Sequence, residues 1–477
     1  MDLVSQSGGF LTLLKKRNFL RLWLAQVISM TIFNASNYAV VVLIANITGS
    51  TTQIGIAIIC FSLPAVLFGA PAGVFVDHMN KRRVLWGSNC LRALATFLFV
   101  IALLFDRHGL LPVIYILTFL ISAIGQFFTP AEGSAIPMLV SEEELMPALS
   151  LFNITFMLSQ ALGYVLLAPI ALILLPTFTI HSVVIDPPVQ LYLIIGILYL
   201  VCAFLIVSIS RGNFVQVARH KSATGPVTTE TLGIIGNVWN EMNQGWKFVH
   251  RNKPLLLAVT QLSFAGVLIL VIGLLATPIV TQLLKLPANY MAFVFAPAGI
   301  GLVIGSVLMP GITRRLGRSR TIFVGTIGLT AATLLLPLST LLARTLQPEG
   351  WNTNPLLLIA IGFFMLVAGL ALDFINIPAQ TAIQELTPDW IKGRVLALQL
   401  VLYNACAIPI ILFIGAISDL FGIDRVLYIM SVCEIAFGIW GLYYERDHSG
   451  NVTLHRTEIA SDETEPDKIV PTSTKTH

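Results

Sequence analysis

Four ionisable side chains interrupt long apolar stretches of the sequence: Asp373, Glu132, Glu434 and Arg92. A charge inside the hydrocarbon of a membrane is costly unless it is paired or hydrated, so such residues are usually functional. A carboxyl group can bind and release a proton, which makes Asp373, Glu132 and Glu434 candidates for proton coupling. The alternatives are a structural hydrogen bond for Glu434, contact with water near the headgroups for Glu132, and an ion pair or reach to the membrane surface for Arg92.

Uncharged polar side chains in the same stretches are candidates for the wall of a substrate path. Each can bind a ligand, or it can form an interhelical hydrogen bond worth about 1 kcal/mol or less. The sequence leaves both interpretations open. The candidates are Asn34, Asn37, Gln126, Asn153, Gln160, Gln261, Asn376, Gln380, Gln399, Tyr403 and Asn404.

A polar turn follows the second apolar stretch, within residues 69–86, GAPAGVFVDHMNKRRVLW. Lys81, Arg82 and Arg83 are expected at the membrane surface, because basic residues concentrate on the cytoplasmic side of membrane proteins. Gly73 is expected to permit a close approach of two helices, since small residues let membrane helices pack tightly. Asp77 lies between these features, and the simple alternative for it is a solvated residue of the turn.

Residue patterns for enzyme chemistry or metal binding are missing from the sequence. The five cysteines lie inside apolar stretches without CxxC spacing, and the eight histidines show no metal-ligand pattern. Motifs of the GxSxG, HExxH and Walker types do not occur. We therefore expect no metal site, no cofactor and no enzymatic activity.

The composition indicates an integral membrane protein. Of the 477 residues, 56% are hydrophobic and 11% are charged, whereas a soluble chain has about 25% charged residues. Twelve apolar runs come near the roughly 20 residues that cross a bilayer as a helix. They are too long and too continuously apolar for the strands of a barrel. We place them at Leu20–Ile44, Ile54–Val76, Val84–Leu104, Leu110–Thr129, Leu145–Leu175, Val189–Ser208, Leu255–Leu284, Tyr290–Met309, Thr321–Leu342, Pro355–Ile377, Val395–Ile417 and Val426–Tyr444.

Lysine and arginine are distributed unevenly between the two sets of loops. If the N-terminus is cytoplasmic, the inner segments contain most of the basic residues, and the outer loops contain Arg107, Lys285, Arg344 and Arg425. This bias predicts that both termini are cytoplasmic. The protein is expected to be a multi-pass protein of the inner or plasma membrane. The net charge of +4 is small, and we expect no nucleic acid partner.

The two sets of six runs echo each other. PAEGSAIPMLVSE at 130–142 is similar to PAQTAIQELTPD at 378–389, and each follows the fourth run of its half. This indicates a duplicated six-helix unit. We expect an all-α membrane protein with a cytoplasmic segment at 1–18, helical bundles at 19–209 and 254–444, a linker with an interfacial amphipathic helix at 210–253, and a disordered cytoplasmic tail at 445–477.

Together these features resemble the major facilitator superfamily. The motifs that carry the resemblance are FLRLWLAQVIS, TGS at 48–50, GVFVDHMNKRRVL followed by LRA, EMNQGWKFV and KGRVLAL. Within the superfamily, the chain is most similar to the branch of macrolide and drug exporters that also includes siderophore exporters. Two features depart from that branch: FNASNYAV in the first helix has no acid, and QALGYVLLAP in the fifth lacks an adjacent glycine and proline.

The resemblance implies roles for several residues. Asp77 would contact the start of the eleventh helix and lock the two bundles together on the cytoplasmic side. Helices one, four, seven and ten would line the pathway. The gating region would then contain Gly73, Asp77, Lys81, Arg82, Arg83 and Arg92. The pathway would contain Asn34, Asn37, Gln126, Gln261 and Asp373 first, followed by Asn376, Gln380 and Tyr403.

We expect a secondary transporter that works by alternating access and exports an amphiphilic small molecule. The coupling ion is expected to be the proton, with sodium as the alternative. Uptake or facilitated diffusion of a metabolite is the alternative within transport, and a membrane-embedded enzyme or a non-transporting receptor is less favoured. The expected partners are the substrate, the coupling ion and membrane lipids, and the chain is expected to be a monomer.

Overall fold

The computed structural model describes residues 10, 12–105, 109, 111–180, 183–210 and 243–448. In this part of the chain, twelve helices are long and apolar enough to cross a membrane, as the apolar runs predict. We number them α1 to α12 in chain order. They are α1 Arg17–Thr48, α2 Thr51–His78, α3 Lys81–Leu104, α4 Leu111–Leu139, α5 Glu142–Ala161 continued by Leu162–Leu167 and Ala168–Leu174, α6 Pro187–Val207, α7 Lys253–Pro278 continued by Ile279–Leu283, α8 Met291–Leu316, α9 Arg318–Leu346, α10 Pro355–Leu386, α11 Asp389–Phe421 and α12 Ile423–His448.

The helices form two bundles of six. In the first bundle, α1 packs against α5 and α6, and α3 packs against α4 and α6. In the second, α10 packs against α7, α8 and α9, and α9 packs against α12. The two bundles meet where α2 packs against α11. Consecutive helices run in opposite directions, so the turn at Gly49 and the turn before Lys81 lie at opposite ends, which we call the Gly49 end and the Lys81 end.

Polar residues in the turns define where helices begin. Ser50 Oγ accepts a hydrogen bond from the Gln53 amide at the start of α2 (3.3 Å), and Asn80 Oδ1 accepts one from the Arg83 amide at the start of α3 (3.3 Å). These caps satisfy amide groups that have no partner within the helix. Gly49 ends α1 with a φ angle of 63°, a conformation that favours glycine.

Two helices continue past the prolines at which we expected them to end. Both α4 and α10 run on for more than two turns, through Pro130 and Pro378 respectively. Membrane helices tolerate proline because neighbouring groups can satisfy the freed carbonyl. The extension places Glu132 within α4, where it is 5% exposed. The expectation that Glu132 faces water near the headgroups is therefore wrong.

Three local features were not predicted. π-helical turns occur at Leu162–Leu167 in α5 and at Ile279–Leu283 after α7. At the Gly49 end, β1 (Phe178–Ile180) and β2 (Val183–Ile185) form an antiparallel pair before α6. The sequence indicates the π turns poorly, because their apolar residues also fit an ordinary helix.

The linker is described only at its end. Residues 243–251 are helical, Trp246 is exposed, and Val249 is fully buried among residues at the starts of α7 and α11, including Leu255 and Ile391. This part of the predicted amphipathic helix therefore packs on the second bundle. The remainder of that prediction, at 211–242, and the predicted tail from residue 449 onward lie outside the described residues.

Candidate functional site

The two bundles are joined at the Gly49 end by Asp419, near the end of α11. Its Oδ1 accepts a hydrogen bond from the Thr51 amide (2.6 Å). Its Oδ2 accepts hydrogen bonds from Ser50 Oγ (2.6 Å) and from the Thr52 amide (3.0 Å). A carboxylate is stabilised at a helix N-terminus by the free amides and by the helix dipole. Asp419 therefore caps α2 from the opposite bundle.

Small residues let the same two helices approach closely. A Cβ on Gly415 of α11 would lie 3.0 Å from Thr52 Cα, and one on Gly55 of α2 would lie 3.1 Å from Ile411 Cγ2. Ser418 Oγ and Thr51 Oγ1 are 3.2 Å apart and share a hydrogen bond. The capping contacts thus belong to a tightly packed helix pair, with no room for a substrate between α2 and α11 at this level.

Tyr38 of α1 provides a second interbundle contact at this end. Its hydroxyl donates to the Asn289 carbonyl (3.4 Å) and accepts from the Ala292 amide (3.2 Å) at the start of α8. The ring of Tyr164 on α5 packs edge-on against Tyr38, with 6.5 Å between ring centres. We call Tyr38 and Tyr164 the aromatic plug. It fills the space between α1, α5 and α8.

Basic side chains at the Lys81 end bind carbonyl groups at the ends of helices. Lys81 Nζ donates to the Val76 carbonyl of α2 (2.7 Å), and Arg82 donates to the Val207 carbonyl of α6. A cation is favourable at a helix C-terminus, where the dipole is negative. Lys81 is 4% exposed, so it holds the turn from within, whereas Arg83 is exposed.

The latch predicted for the Lys81 end is described only in part. Asp77 lies in the last turn of α2, but its side chain is outside the described part of the chain. Among the described atoms, none lies within 4 Å of a Cβ placed on Gly73, so the expected close helix approach is not found there. Contact between Asp77 and the start of α11 stays a prediction.

Arg92 lies in the interior of the first bundle and is 2% exposed. Its Nη1 donates to Ser29 Oγ of α1 (3.0 Å). Its guanidinium carbon lies 5.4 to 5.6 Å from three aromatic ring centres, those of Phe33, Phe128 and Tyr199. Such cation–π contacts stabilise a desolvated cation. Arg92 therefore neither reaches the membrane surface nor lies with the gating residues at the Lys81 end.

Gly125 and Glu132 of α4 lie near Arg92. A Cβ on Gly125 would be 2.5 Å from Arg92 Nη2, so the glycine makes room for the guanidinium. Glu132 lies within electrostatic reach of Arg92, but the ion pair found among the described residues is a different one, between Lys16 and Glu144. The expected direct pairing of Arg92 with an acid is therefore not found in the described part of the chain. Glu132 Oε1 has no hydrogen-bond partner among the described residues.

The other two candidate coupling acids are buried in the second bundle. Asp373 of α10 is 8% exposed and lies against α8, where a Cβ on Gly305 would be 3.1 Å from its Oδ2. Glu434 of α12 is fully buried, and its Oε2 accepts a hydrogen bond from Thr333 Oγ1 of α9 (2.8 Å). Glu434 thus has the structural hydrogen bond that we considered for it.

The candidate pathway residues of α1 are buried. Asn34 Nδ2 donates to the Met30 carbonyl of its own helix (2.7 Å). α5 approaches Asn34 closely, since a Cβ on Gly163 would lie 2.7 Å from Asn34 Cβ. The Asn37 side chain interacts with Tyr164. Asn37 therefore supports the aromatic plug.

The remaining candidate pathway residues lie on α4, α7, α10 and α11, and no hydrogen bond among the described residues joins one of them to another. Gln126 donates to a carbonyl of its own helix and is partly exposed, as is Asn376, whereas Gln380 is exposed. The Tyr403 ring packs on α7, where a Cβ on Gly266 would be 2.8 Å from it. Gln261 lies beside Gly441 and faces a small cavity between α7, α9 and α12, so we leave it out of the proposed pathway.

Comparison with known protein families identifies the superfamily of the chain. The family described as Major Facilitator Superfamily matches residues 22–408, most of the chain. The chain belongs to the Major Facilitator Superfamily. This confirms the family and the twelve-helix fold that the sequence predicts.

Two relatives from this superfamily match the chain over different lengths. It is 28% identical to macrolide efflux protein A of Streptococcus pyogenes over 157 residues, which is 32% of this chain and 38% of that protein. It is 26% identical to the MFS-type transporter YfiS of Bacillus subtilis over 347 residues, 72% of this chain and 73% of that one. The chain thus spans well under half the length of the efflux protein in that match.

Solved superfamily structures share the fold at low sequence identity. The nucleoside transporter NupG matches with a TM-score of 0.61 and 13% identity over 89% of this chain and 98% of that one. A bacterial homologue of the iron transporter ferroportin in its inward-facing state matches with a TM-score of 0.63 and 14% identity over 91% of this chain and 99% of that one. At these identities the likeness concerns the fold alone.

Sequence reasoning missed the most clearly built interbundle contact. Asp419 stands at the end of an apolar run and carries no local motif. The sequence does contain a signal, because serine and threonine, as in TGS at 48–50, are typical of a helix start. What the sequence could not show is that the acid capping this start comes from α11.

Proposed function

We propose that the chain is a secondary transporter that exports an amphiphilic small molecule by alternating access. The observation that carries the proposal is the capping of α2 by Asp419 of α11, which joins the two bundles at the Gly49 end of the contact between these helices. Alternating access requires interbundle contacts that can form and break at each end in turn. The hydrogen bonds of Asp419 are of this kind, because they cross the interface and lie near the surface.

We propose that the Gly49 end is the outer end and that the structure corresponds to an inward-facing state. The basic residues at the Lys81 end support this orientation, since they concentrate on the cytoplasmic side of membrane proteins. The closed junction at the Gly49 end supports the state.

Export is supported by the relative named macrolide efflux protein A, although that match covers about a third of this chain. Uptake or facilitated diffusion of a metabolite is the competing function. The two functions differ in the direction of net flux, and a gradient experiment can separate them.

Proton coupling through Asp373 is part of the proposal. Asp373 is buried on α10 beside α8, and the other acids inside the spans are no better placed: Glu434 is bound to α9, and Glu132 lies near Arg92 within the first bundle. A buried carboxyl that becomes hydrated as the bundles move can exchange a proton. If the ion is sodium instead, a sodium gradient will drive transport where a pH gradient does not.

The experiment uses inverted membrane vesicles with an acidic interior and the fluorescent amphiphile Nile red, which is uncharged and is therefore not trapped by the pH gradient itself. We expect the unaltered chain to concentrate the dye in the vesicles. Asp373→Asn is expected to abolish this accumulation and to retain exchange of dye at equal concentrations, because the proton step is lost while the movement of the bundles remains. Asp424→Asn, an acid at the Gly49 end, serves as the control.

Each of the other possible results supports a different function or removes a proposed role. Accumulation in right-side-out vesicles instead supports uptake. Dye binding without flux in either orientation supports a receptor. An Asp373→Asn chain that still concentrates dye with normal pH dependence removes Asp373 from the coupling role.

A further inference from the structure

One face of α5 is fixed against α1. Gln26 Nε2 of α1 donates to the Phe152 carbonyl (3.3 Å), and Thr155 Oγ1 donates to Gln26 Oε1 (3.4 Å). One turn further, Ser159 Oγ donates to the Val27 carbonyl of α1 (3.4 Å). These contacts define which side of α5 points away from α1.

The side of α5 that faces away from α1 carries two amides. Asn153, Met157 and Gln160 are all exposed, and at 100° per residue they fall within about 60° of one another on the helix. We call these three residues the amide stripe. The apolar Ile154 and Leu158 are also exposed but lie roughly 100° to 140° around the helix from Asn153. The stripe is therefore a polar strip beside an apolar one.

The amide stripe lies deep in the span. Asn153 and Gln160 are about 16 Å and 27 Å along α5 from its start at Glu142, at 1.5 Å per residue. Hydrocarbon offers no hydrogen-bond partners at this depth, so exposed amides face protein or a water-filled path rather than lipid. The apolar strip with Leu158 is the part suited to lipid.

The stripe leads directly to the aromatic plug. Tyr164 follows Gln160 by one turn of α5, at the π-helical turn, and packs against Tyr38, which binds the start of α8. The stripe thus lies on the Lys81 side of the closed contact between α1, α5 and α8. This is the position of a binding site under a closed outer gate.

The charged side chains inside the described spans are buried, so they are not available to a ligand at the amide stripe. The four ionisable residues in the interior of the described spans are all at least nine-tenths buried: Arg92, Glu132, Asp373 and Glu434 are 2%, 5%, 8% and 0% exposed. A permanently charged ligand at the stripe would meet amides and no exposed counter-charge among the described residues, and desolvating an unpaired charge is costly. An uncharged ligand with hydroxyl or carbonyl groups would exchange its hydrogen bonds with water for bonds to the amides.

We propose that Asn153 and Gln160 form the polar wall of the substrate site and that the substrate is an uncharged amphiphile rich in hydrogen-bonding groups. Met157, 72% exposed between the two amides, supplies a flexible apolar contact for the rest of the ligand. This inference rests on the proposed export function and narrows its substrate class. It assigns recognition to α5, in addition to the helices expected to line the pathway.

The test introduces single cysteines, Asn153→Cys and Gln160→Cys, with Leu158→Cys as the matched control on the apolar strip. A membrane-impermeant thiol reagent is applied from the Lys81 side, and labelling is counted beyond that of the unaltered chain. The thiolate is the reactive form and needs water, so we expect the cysteines at 153 and 160 to react at least about tenfold faster than the one at 158. The uncharged, hydroxyl-bearing amphiphile digitoxin is expected to slow labelling at both positions. Tetraphenylphosphonium, a permanent cation, and taurocholate, a permanent anion, are expected to leave it unchanged.

Two outcomes overturn the inference. Labelling at 153 and 160 no faster than at 158 means that the stripe does not face a water-filled path. Protection by either charged probe that equals or exceeds protection by digitoxin, or no protection by digitoxin, means that the substrate class is wrong. In both cases dye accumulation in inverted vesicles still reports separately on whether the chain exports.

Discussion

α2 and α11 run antiparallel across the bundle interface, so each helix begins beside the other's end. At the Gly49 end, α2 begins at Thr51 and is capped by Asp419 in the last turn of α11. At the Lys81 end, α11 begins at Asp389, and Asp77 lies in the last turn of α2. Each end therefore combines one helix N-terminus with one aspartate from the opposite bundle.

The comparison suggests one kind of contact for both gates: an aspartate that caps the start of a helix in the opposite bundle. Hydrogen bonds to a charged group contribute roughly 1.5 to 3 kcal/mol each, so either cap can hold the bundles together at its own end. The described structure has the Asp419 cap formed. If the Asp77 cap forms only when the Asp419 cap breaks, the balance between the two states depends on the difference between two similar contacts.

Removing the Asp419 cap is expected to have the largest effect. Asp419→Ala deletes the acceptor of three hydrogen bonds from α2 and its N-cap, and a net loss equal to only one such bond, about 2 kcal/mol, already shifts a two-state equilibrium about 30-fold. We expect the Gly49 end to open, measured as an increased distance between spin labels at Leu174 and Leu346. Asp424→Asn at the same end should leave the distance unchanged. An unaltered distance in the Asp419→Ala chain would remove Asp419 from the gate.

Removing the opposite aspartate is expected to act in the opposite direction. Asp77→Asn weakens the proposed cap at the start of α11, which favours the state closed at the Gly49 end. A contact of about 1–2 kcal/mol corresponds to a shift of about 5- to 30-fold. The measured quantity is the distance between labels at Met146 and Arg315, at the Lys81 end, which should increase. A shift in the same direction as Asp419→Ala would contradict the comparison.

A small wedge between α2 and α11 is expected to have an intermediate effect. The added Cβ of Gly415→Ala would lie 3.0 Å from Thr52 Cα, and overpacking by one methyl group costs about 1 kcal/mol, or about fivefold. The Leu174–Leu346 distance should shift toward the open value. Gly273→Ala on α7, where the described structure leaves space, controls for the change in helix propensity. Equal effects of both substitutions would mean that propensity, not the close contact, is responsible.

Removing a neutral hydrogen bond at the same junction is expected to have the smallest effect. Ser418→Ala deletes the bond to Thr51 Oγ1 and leaves the Asp419 cap intact. A neutral bond contributes about 0.5 to 1 kcal/mol, which is roughly a two- to fivefold shift. The same label pair measures it. A larger shift than that of Asp419→Ala would place the main contact at Ser418.

Hydropathy was sufficient to predict the twelve helices, because each span must be long and apolar to cross the bilayer. It could not predict that α4 continues through Pro130, since the tolerance of a membrane helix for proline depends on neighbouring groups that the local sequence does not specify. Glu132 was misplaced for that reason. Ser50 and Asp419, which form one hydrogen bond of the cap, are 369 positions apart in the sequence. Only the register of α2 against α11 brings them together.

The buried environment of Arg92 illustrates the same limit inside a bundle. The sequence identifies a charge in the third span. The aromatic rings that surround it and the glycine that leaves space for it, Gly125, belong to three other helices, α1, α4 and α6. A residue that lacks a partner in its own helix can be satisfied in ways that local patterns do not specify. The sequence therefore identified Arg92 as unusual and could not predict its surroundings.

The central claim is that the two ends open alternately, and paired distance measurements on one protein test it most directly. Spin labels at Leu174 and Leu346 report the Gly49 end, and labels at Met146 and Arg315 report the Lys81 end, each measured in the unaltered background and with Asp419→Ala. The account predicts that Asp419→Ala lengthens the first distance and shortens the second in the same fraction of molecules. A first distance that lengthens while the second stays fixed would contradict it, because the ends would then open independently.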